Sequence, residues 1–92
     1  MTREKLPNKR RSIAFTFEFE GHRYRASATR FADGRLAELF LDAGKFNSPL
    51  QQQAETAAVL VSLLLQHGVS VDVILHSIRG PIATALLMAE AP

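Results

Sequence analysis

Three short runs of the sequence alternate between apolar and polar residues, and this alternation is the feature that most restricts the possible fold. The apolar parity holds Ile13, Phe15, Phe17 and Phe19 in the first run, Tyr24, Ala26 and Ala28 in the second, and Leu39, Leu41 and Ala43 in the third. Alternation of this kind is typical of β-strands with one buried face. Glu20-Gly21 and Asp33-Gly34 separate the runs, and Asp-Gly is among the stronger hairpin signals. We therefore predict a three-stranded antiparallel meander.

The two predicted hairpins agree on one buried face when their loops are centred on Glu20-Gly21 and Asp33-Gly34. The predicted pairs are Phe17–Tyr24, Phe15–Ala26, Ile13–Ala28 and Glu18–Arg23 in the first hairpin, and Ala28–Leu39, Ala26–Leu41, Tyr24–Ala43 and Arg25–Asp42 in the second. A slip of one residue would turn an apolar row toward water, so loops of odd length are disfavoured at both turns. We expect the opposite, charged face to lie in solvent; it carries Glu18, Arg23, Arg25, Glu38 and Asp42.

Beyond the third run the periodicity becomes helical. Ser48 suits an N-cap, Pro49 suits the first helical position, and Gln51 completes a capping-box spacing. We predict a long helix that begins at Pro49 and ends at Gly68, because glycine readily adopts the left-handed position after a helix.

Two shorter helices are expected after the long one. Ser70 precedes the first of them, and the Gly80-Pro81 pair starts the second, over residues 82–89. The predicted fold class is therefore α+β, with a three-stranded antiparallel meander packed on one face by a long apolar helix and two short helices.

The long helix is apolar on more than one side. Eight of the nine residues from Ala57 to Leu65 are apolar, and Ser62 is the exception. Such a helix must be covered on several sides. A chain of 92 residues buries only a small fraction more than half of its surface on folding, so its stability margin is thin and a partner surface would add to it. We therefore expect a homodimer formed through the apolar helix, residues 49–67.

The junction before this helix is the candidate site for an anion or a nucleotide, formed by Gly44, Lys45, Asn47 and Ser48. Free N–H groups at a helix start, an ammonium and a hydroxyl are the components of a phosphate site. The spacing is not that of a P-loop, whose lysine follows a longer glycine-bounded loop. A tight structural corner explains the same residues, and both interpretations stay open.

The basic residues are concentrated at the N-terminus. Residues 1–11 have a net charge of +4, whereas the whole chain has +2. The candidate nucleic-acid contacts are Arg3, Lys5, Lys9, Arg10 and Arg11. The segment lacks periodicity and aromatic residues, so we expect residues 1–11 to be a basic flexible tail beside a single domain at residues 12–92.

Several classes of function are disfavoured by composition. The chain has no cysteine, and His22, His67 and His76 have no ligand-type neighbours at metal spacing, so we expect no metal site and no cofactor. No serine lies in a nucleophile elbow, so no catalytic residue is assigned. The apolar runs are too short to span a membrane, and the N-terminus has no secretory h-region, so a cytoplasmic location is expected.

The second half of the chain resembles the TSCPD domain, a small module at the C-terminus of vitamin B12 (adenosylcobalamin)-dependent ribonucleoside-diphosphate reductases that also occurs as short standalone proteins. The residues that carry the resemblance are Gly44, Lys45, Ser48 and Leu50, then Leu65, Gln66, His67, Gly68 and Val69, and then Val71, Asp72 and Ile74. The resemblance implies kinship with enzymes of DNA synthesis. It also implies that the partner is a ribonucleotide reductase or a nucleotide.

The chain departs from that family in one respect that concerns chemistry. Members that give the domain its name carry a cysteine before the last helix, where this chain reads IRGPIATALL. The catalytic barrel and the cobalamin-binding elements have no counterpart in these 92 residues. The resemblance therefore implies a non-catalytic binding or assembly module. Nucleic-acid binding by the basic tail is the alternative, and a reductase label would reflect homology rather than activity.

Overall fold

The computed structural model describes residues 12–44 and 48–91. The strands are β1 (Ser12–Phe19), β2 (His22–Arg30) and β3 (Leu36–Asp42), and the helices are α1 (Pro49–Gln66), α2 (Val71–Ser77) and α3 (Pro81–Glu90). The strands form one antiparallel sheet in the order β1-β2-β3. The predicted α+β fold class is confirmed, and α3 is one residue longer at each end than the sequence predicted.

The predicted register of the first hairpin is confirmed. Phe17 pairs with Tyr24, and Ile13 pairs with Ala28. The turn residues Glu20 and Gly21 have φ angles of 50° and 80°. Two consecutive positive φ angles define the tight two-residue turn that matches the twist of paired strands.

The second hairpin has the predicted pairs across its centre, but its loop does not have the predicted length. Residues 31–35 form the loop, and this odd number was expected to be disfavoured. Thr29 pairs with Glu38 while Arg30 pairs with Leu36, so Ala37 is an extra residue in β3. This β-bulge restores the apolar row and leaves both Leu36 and Ala37 buried.

The helix ends follow the signals in the sequence. The Ser48 hydroxyl accepts a hydrogen bond from the N–H of Gln51, at 3.1 Å, and Pro49 begins α1. Gly68 has φ +86°, and the N–H of Val69 donates to the carbonyl of Leu64 across the end of α1. This is the Schellman arrangement, which uses carbonyls that a helix end leaves unpaired.

The core lies between the apolar face of the sheet and the three helices. Its most deeply buried large side chains are Tyr24, Leu39 and Leu86. The small side chains of Ala26 and Ala28 let α3 approach β2, where Ala85 and Ala89 are fully buried. The rings of Phe17 and Tyr24 stack at 5.5 Å on the same face. The charged row lies on the other face, where Glu18, Arg23 and Arg25 are exposed as expected and Glu38 and Asp42 are half-buried.

Candidate binding surfaces

The corner before α1 is held by hydrogen bonds within the domain. The N–H of Gly44 donates to the Asp42 carboxylate at 2.7 Å, and the N–H of Ala43 donates to the Gln51 side-chain oxygen at 2.6 Å. The Ser48 hydroxyl caps α1. These donors are therefore engaged in structural contacts. Lys45 and Asn47, the other two residues of the predicted anion site, lie outside the described residues.

An open cleft lies beside this corner and carries both signs of charge. Arg23, Arg25, Asp42 and Glu55 line it together with Gln51 and Gln52. Arg25 lies 3.6 Å from the Asp42 carboxylate, and both side chains are exposed, so the pair contributes little to stability. The arginines favour an anion here and the carboxylates oppose one. The anion or nucleotide site stays a prediction.

Polar side chains of α1 bind the outer edge of β3. The Ser62 hydroxyl accepts from the N–H of Leu39 at 2.9 Å and donates to the carbonyl of the same residue at 3.0 Å. The Gln66 amide donates to the carbonyl of Ala37 at 3.1 Å. With Gln51, these side chains cover an edge that would otherwise present unpaired backbone groups. Sequence reasoning treated Ser62 only as an interruption of an apolar run.

The outer side of α1 is apolar and exposed. Val59, Leu60 and Leu64 are 58%, 56% and 42% exposed. Leu60 and Leu64 are four residues apart and share one side of the helix, and Val59, next to Leu60 in the sequence, lies about a quarter turn around the helix from it. Val59 also borders a groove of 510 Å³ between α1 and β3, which reaches the exposed Phe40. The four residues Phe40, Val59, Leu60 and Leu64 are called the α1 face below.

The family model of the TSCPD domain matches residues 2–84. The chain belongs to the TSCPD domain family. Three similar proteins are called vitamin B12-dependent ribonucleotide reductases. The Agrobacterium fabrum and Bradyrhizobium diazoefficiens proteins are 34% and 36% identical over 70 residues, which is 76% of this chain and 6% of each relative. The Rhodopirellula baltica protein is 30% identical over 74 residues, 80% of this chain and 7% of the relative. No solved structure matches the chain.

The TSCPD residues that carry the resemblance include several that shape corners in the structure. Gly44 and Gly68 have φ angles of +80° and +86°, in a region that residues other than glycine rarely adopt. Ser48 caps α1, and Ser70, just before the motif residue Val71, accepts from the N–H of Val73 at the start of α2. These positions fix the direction of the chain between elements.

The three histidines do not form a group of metal-type ligands in the described part of the TSCPD domain. His67 Nδ1 lies 2.8 Å from the carbonyl of Leu63, and His76 Nδ1 lies 2.7 Å from that of Asp72, so each imidazole is paired with its own helix. No cluster of three metal-type ligands exists in residues 12–44 and 48–91. Arg3, Lys5, Lys9, Arg10 and Arg11, the predicted nucleic-acid contacts, lie outside the described residues.

One carboxyl group of the domain has a shifted pKa. The Asp33 carboxylate accepts from the N–H of Arg35 at 3.1 Å and from its guanidinium at 2.7 Å. The backbone bond, and then the guanidinium, hold the pKa of Asp33 below its ordinary value of 3.8. The Arg35 guanidinium also lies 4.8 Å from the centre of the Phe31 ring. Both contacts order the second turn.

Within the described segments, no helix is long and apolar enough to cross a bilayer.

Proposed function

We propose that this TSCPD domain is a non-catalytic assembly module that binds another protein through the α1 face. The observation that carries the proposal is the exposure of Leu60 and Leu64 on one side of a regular helix, with the exposed Val59 next to them toward β3. Exposed apolar clusters on a small domain are typical of protein-binding surfaces. The hydrogen bonds from Ser62 and Gln66 to β3 hold α1 in place, so the face is rigid before a partner binds.

The α1 face has the anatomy of a protein interface rather than that of a small-molecule pocket. Its apolar centre on α1 continues into the groove that Phe40 borders, and Glu38 and Glu55 lie on the rim of that groove. An apolar centre with a polar rim is the usual composition of such interfaces. The rim charges predict a preference for a partner surface with basic residues around an apolar patch.

The proposed partner is a ribonucleotide reductase. Relatives that carry that name contain a similar segment, and this chain corresponds to only 6% or 7% of their length. In this proposal the domain binds the surface of such an enzyme through the α1 face. The homodimer through α1 expected from the sequence is a competing use of the same face.

The association can be tested by co-sedimentation with a vitamin B12-dependent ribonucleotide reductase. Leu60→Glu/Leu64→Glu places two charges in the α1 face and should abolish co-sedimentation without unfolding the domain. Gln52→Glu/Gln53→Glu is the matched control, because it adds the same charges at exposed positions of the same helix, outside the apolar stretch. An unaffected L60E/L64E variant, or a wild-type chain that never co-sediments, would refute the proposal.

The non-catalytic part of the proposal needs a separate measurement. The purified chain is incubated with a ribonucleoside diphosphate, adenosylcobalamin and a dithiol reductant, and the products are analysed for deoxynucleotide. We expect none, because reductase chemistry of this kind depends on redox cysteines and the chain contains no cysteine. Reproducible deoxynucleotide formation by this chain alone would show that the module is an enzyme.

The other ligand predictions have their own tests. Binding of phosphate or a nucleotide at the corner should shift the amide signals of Gly44 and Ser48, and Lys45→Ala should abolish the shift. Nucleic-acid binding by residues 1–11 should disappear when they are deleted and should weaken steeply with salt.

A further inference from the structure

The two edges of the sheet are treated differently by the rest of the domain. The outer edge of β3 is covered by α1, whose Ser62 and Gln66 bond to Leu39 and Ala37. β1 is the other edge strand, and among the described residues its positions Ser12, Ala14, Thr16 and Glu18 are exposed. An uncovered edge is a template for pairing with another strand.

The backbone groups that β1 directs outward can be identified from its pairing with β2. Phe19 and His22 flank the two-residue turn, so they form a hydrogen-bonded pair. Hydrogen-bonded and non-bonded pairs alternate along an antiparallel ladder. The residues whose N–H and C=O groups point away from β2 are therefore Ser12, Ala14, Thr16 and Glu18. All four are exposed in the structure.

Strand β1 has few of the features with which proteins protect an open edge, and its one charged residue, Glu18, lies next to its C-terminal end. Its eight residues, SIAFTFEF, include no proline, no glycine and no lysine. Its apolar face is incompletely covered, since Ile13 is 49% exposed and Phe15, Phe17 and Phe19 are only half-buried. The strand therefore combines unpaired backbone with an apolar row that one chain does not cover.

We propose that β1 pairs with β1 of a second copy of this chain, antiparallel and about a two-fold axis, to form a continuous six-stranded sheet. Phe15 lies opposite the partner's Phe15 at the axis, and Ile13 lies opposite the partner's Phe17. The hydrogen-bonded pairs are Ala14 with the partner's Thr16 and Ser12 with the partner's Glu18, each pair exchanging two backbone bonds.

This register follows from the strand itself. It engages all four outward-facing residues, whereas a shift of two residues in either direction leaves at least one of them without a partner inside the described strand, Ser12–Phe19. It also places apolar side chains opposite apolar ones on the face that carries the helices, which is the favourable arrangement for cross-strand pairs. The aromatic row of Phe15, Phe17 and Tyr24 would then continue across the axis.

The pairing is self-limiting. Each end of the six-stranded sheet would be a β3 edge, and α1 already covers that edge through Ser62 and Gln66. Further copies have no open strand to add to, so the assembly closes as a dimer. The α1 face is not used in this pairing and stays accessible to the partner proposed above.

A proline substitution tests the pairing with little effect on the fold of one chain. Thr16→Pro removes an N–H that β2 does not use and places a ring where the second strand would lie. We expect analytical ultracentrifugation of the full chain to show a dimer for wild type. The dissociation constant should rise about tenfold or more for T16P. Thr16→Ala keeps the N–H and should stay within about twofold of wild type. Unchanged far-UV circular dichroism of T16P at low concentration shows that the variant still folds.

The register is tested by cysteine crosslinking, because the chain has no cysteine of its own. Chains carrying Ala14→Cys and Thr16→Cys are mixed and oxidised. In the proposed register position 14 lies opposite position 16 of the partner, so the mixed disulfide should exceed its random share. Equal yields of mixed and like-with-like disulfides would contradict this register.

The outcomes also separate β1 pairing from a dimer through α1. Loss of the dimer in T16P but not in L60E/L64E supports the β1 interface. Loss in L60E/L64E but not in T16P would place the dimer on α1 and overturn the inference. A monomeric wild type at every concentration, including one whose β1 edge is covered by residues 1–11, would overturn it as well.

Discussion

The hydroxyl of Ser62 makes two hydrogen bonds with the backbone of one residue, accepting from the N–H of Leu39 at 2.9 Å and donating to its carbonyl at 3.0 Å. Both residues are buried. A single side chain in an apolar helix therefore takes the place of a neighbouring strand at this point of the β3 edge. Gln66 and Gln51 extend the same device toward both ends of the strand.

Ser62→Ala should destabilise the domain by about 1–3 kcal/mol, because it leaves a buried N–H and a buried C=O without partners. Urea unfolding followed by circular dichroism measures the change. Ser77→Ala is the matched control, since Ser77 is exposed and bonds only to the Val73 carbonyl of its own helix. If S62A were as stable as S77A, the Ser62 bonds would not support the sheet edge.

Arg30 connects the second hairpin to the end of α3. Its guanidinium donates to the carbonyl of Gly34 at 2.6 Å and to that of Ala89 at 2.8 Å. Arg30→Ala should cost about 1–2 kcal/mol, because carbonyls in the last turn of a helix have no partner within it and charged donors bind them well. Arg25→Ala, which removes only an exposed pair with Asp42, should change the unfolding free energy very little. Equal losses in both variants would argue against the Arg30 contact.

The lowered pKa of Asp33 predicts that the stability of the domain depends on pH. Its pKa is lowered in the folded chain by Arg35, so its contribution is present above the unfolded pKa, near 3.8, and is lost as the pH falls through the lower folded value. The stability difference between wild type and Asp33→Asn, measured by urea unfolding, should therefore shrink as the pH is lowered through this range. In an Arg35→Ala background the difference should vary less with pH. A wild-type difference that is constant with pH would contradict this assignment.

Gly68 is required by the backbone at the end of α1. Its φ of +86° is unfavourable for residues with a Cβ atom, so Gly68→Ala should cost about 1–2 kcal/mol. Gly68→Asn should cost less, because asparagine tolerates the left-handed region better. Thermal unfolding of the two variants provides the comparison. An alanine variant as stable as wild type would show that the turn can relax.

Much of the fold was predictable because its signals are local. The alternation in β1 and β2 and the turn at Glu20-Gly21 determine one register, and the structure confirms it. Ser48, Pro49 and Gly68 likewise define the ends of α1, because caps act on the nearest few backbone groups. The resemblance to the TSCPD family rested on such positions, and the family match confirms it.

The candidate binding surfaces were harder to predict from the sequence than the fold was. The anion site combined a helix start with Lys45 and Asn47, but hydrogen bonds to Asp42 and Gln51 engage the neighbouring backbone donors. The apolar excess of α1 did predict a helix that one chain cannot cover. It could not specify which side stays open, since that depends on how α1 packs on β3.

The sequence by itself determined the three strands, the register of the first hairpin, the limits of α1 and the family, because these depend on periodicity and on turn and cap residues a few positions apart. Only the tertiary structure decided that Ser62 would serve the β3 edge, that Ala37 would form a bulge, and that Arg30 would reach Ala89. These relationships join residues brought together by the packing of helices on a sheet. The spacing of residues along the sequence does not show which backbone groups this packing leaves without a hydrogen-bond partner.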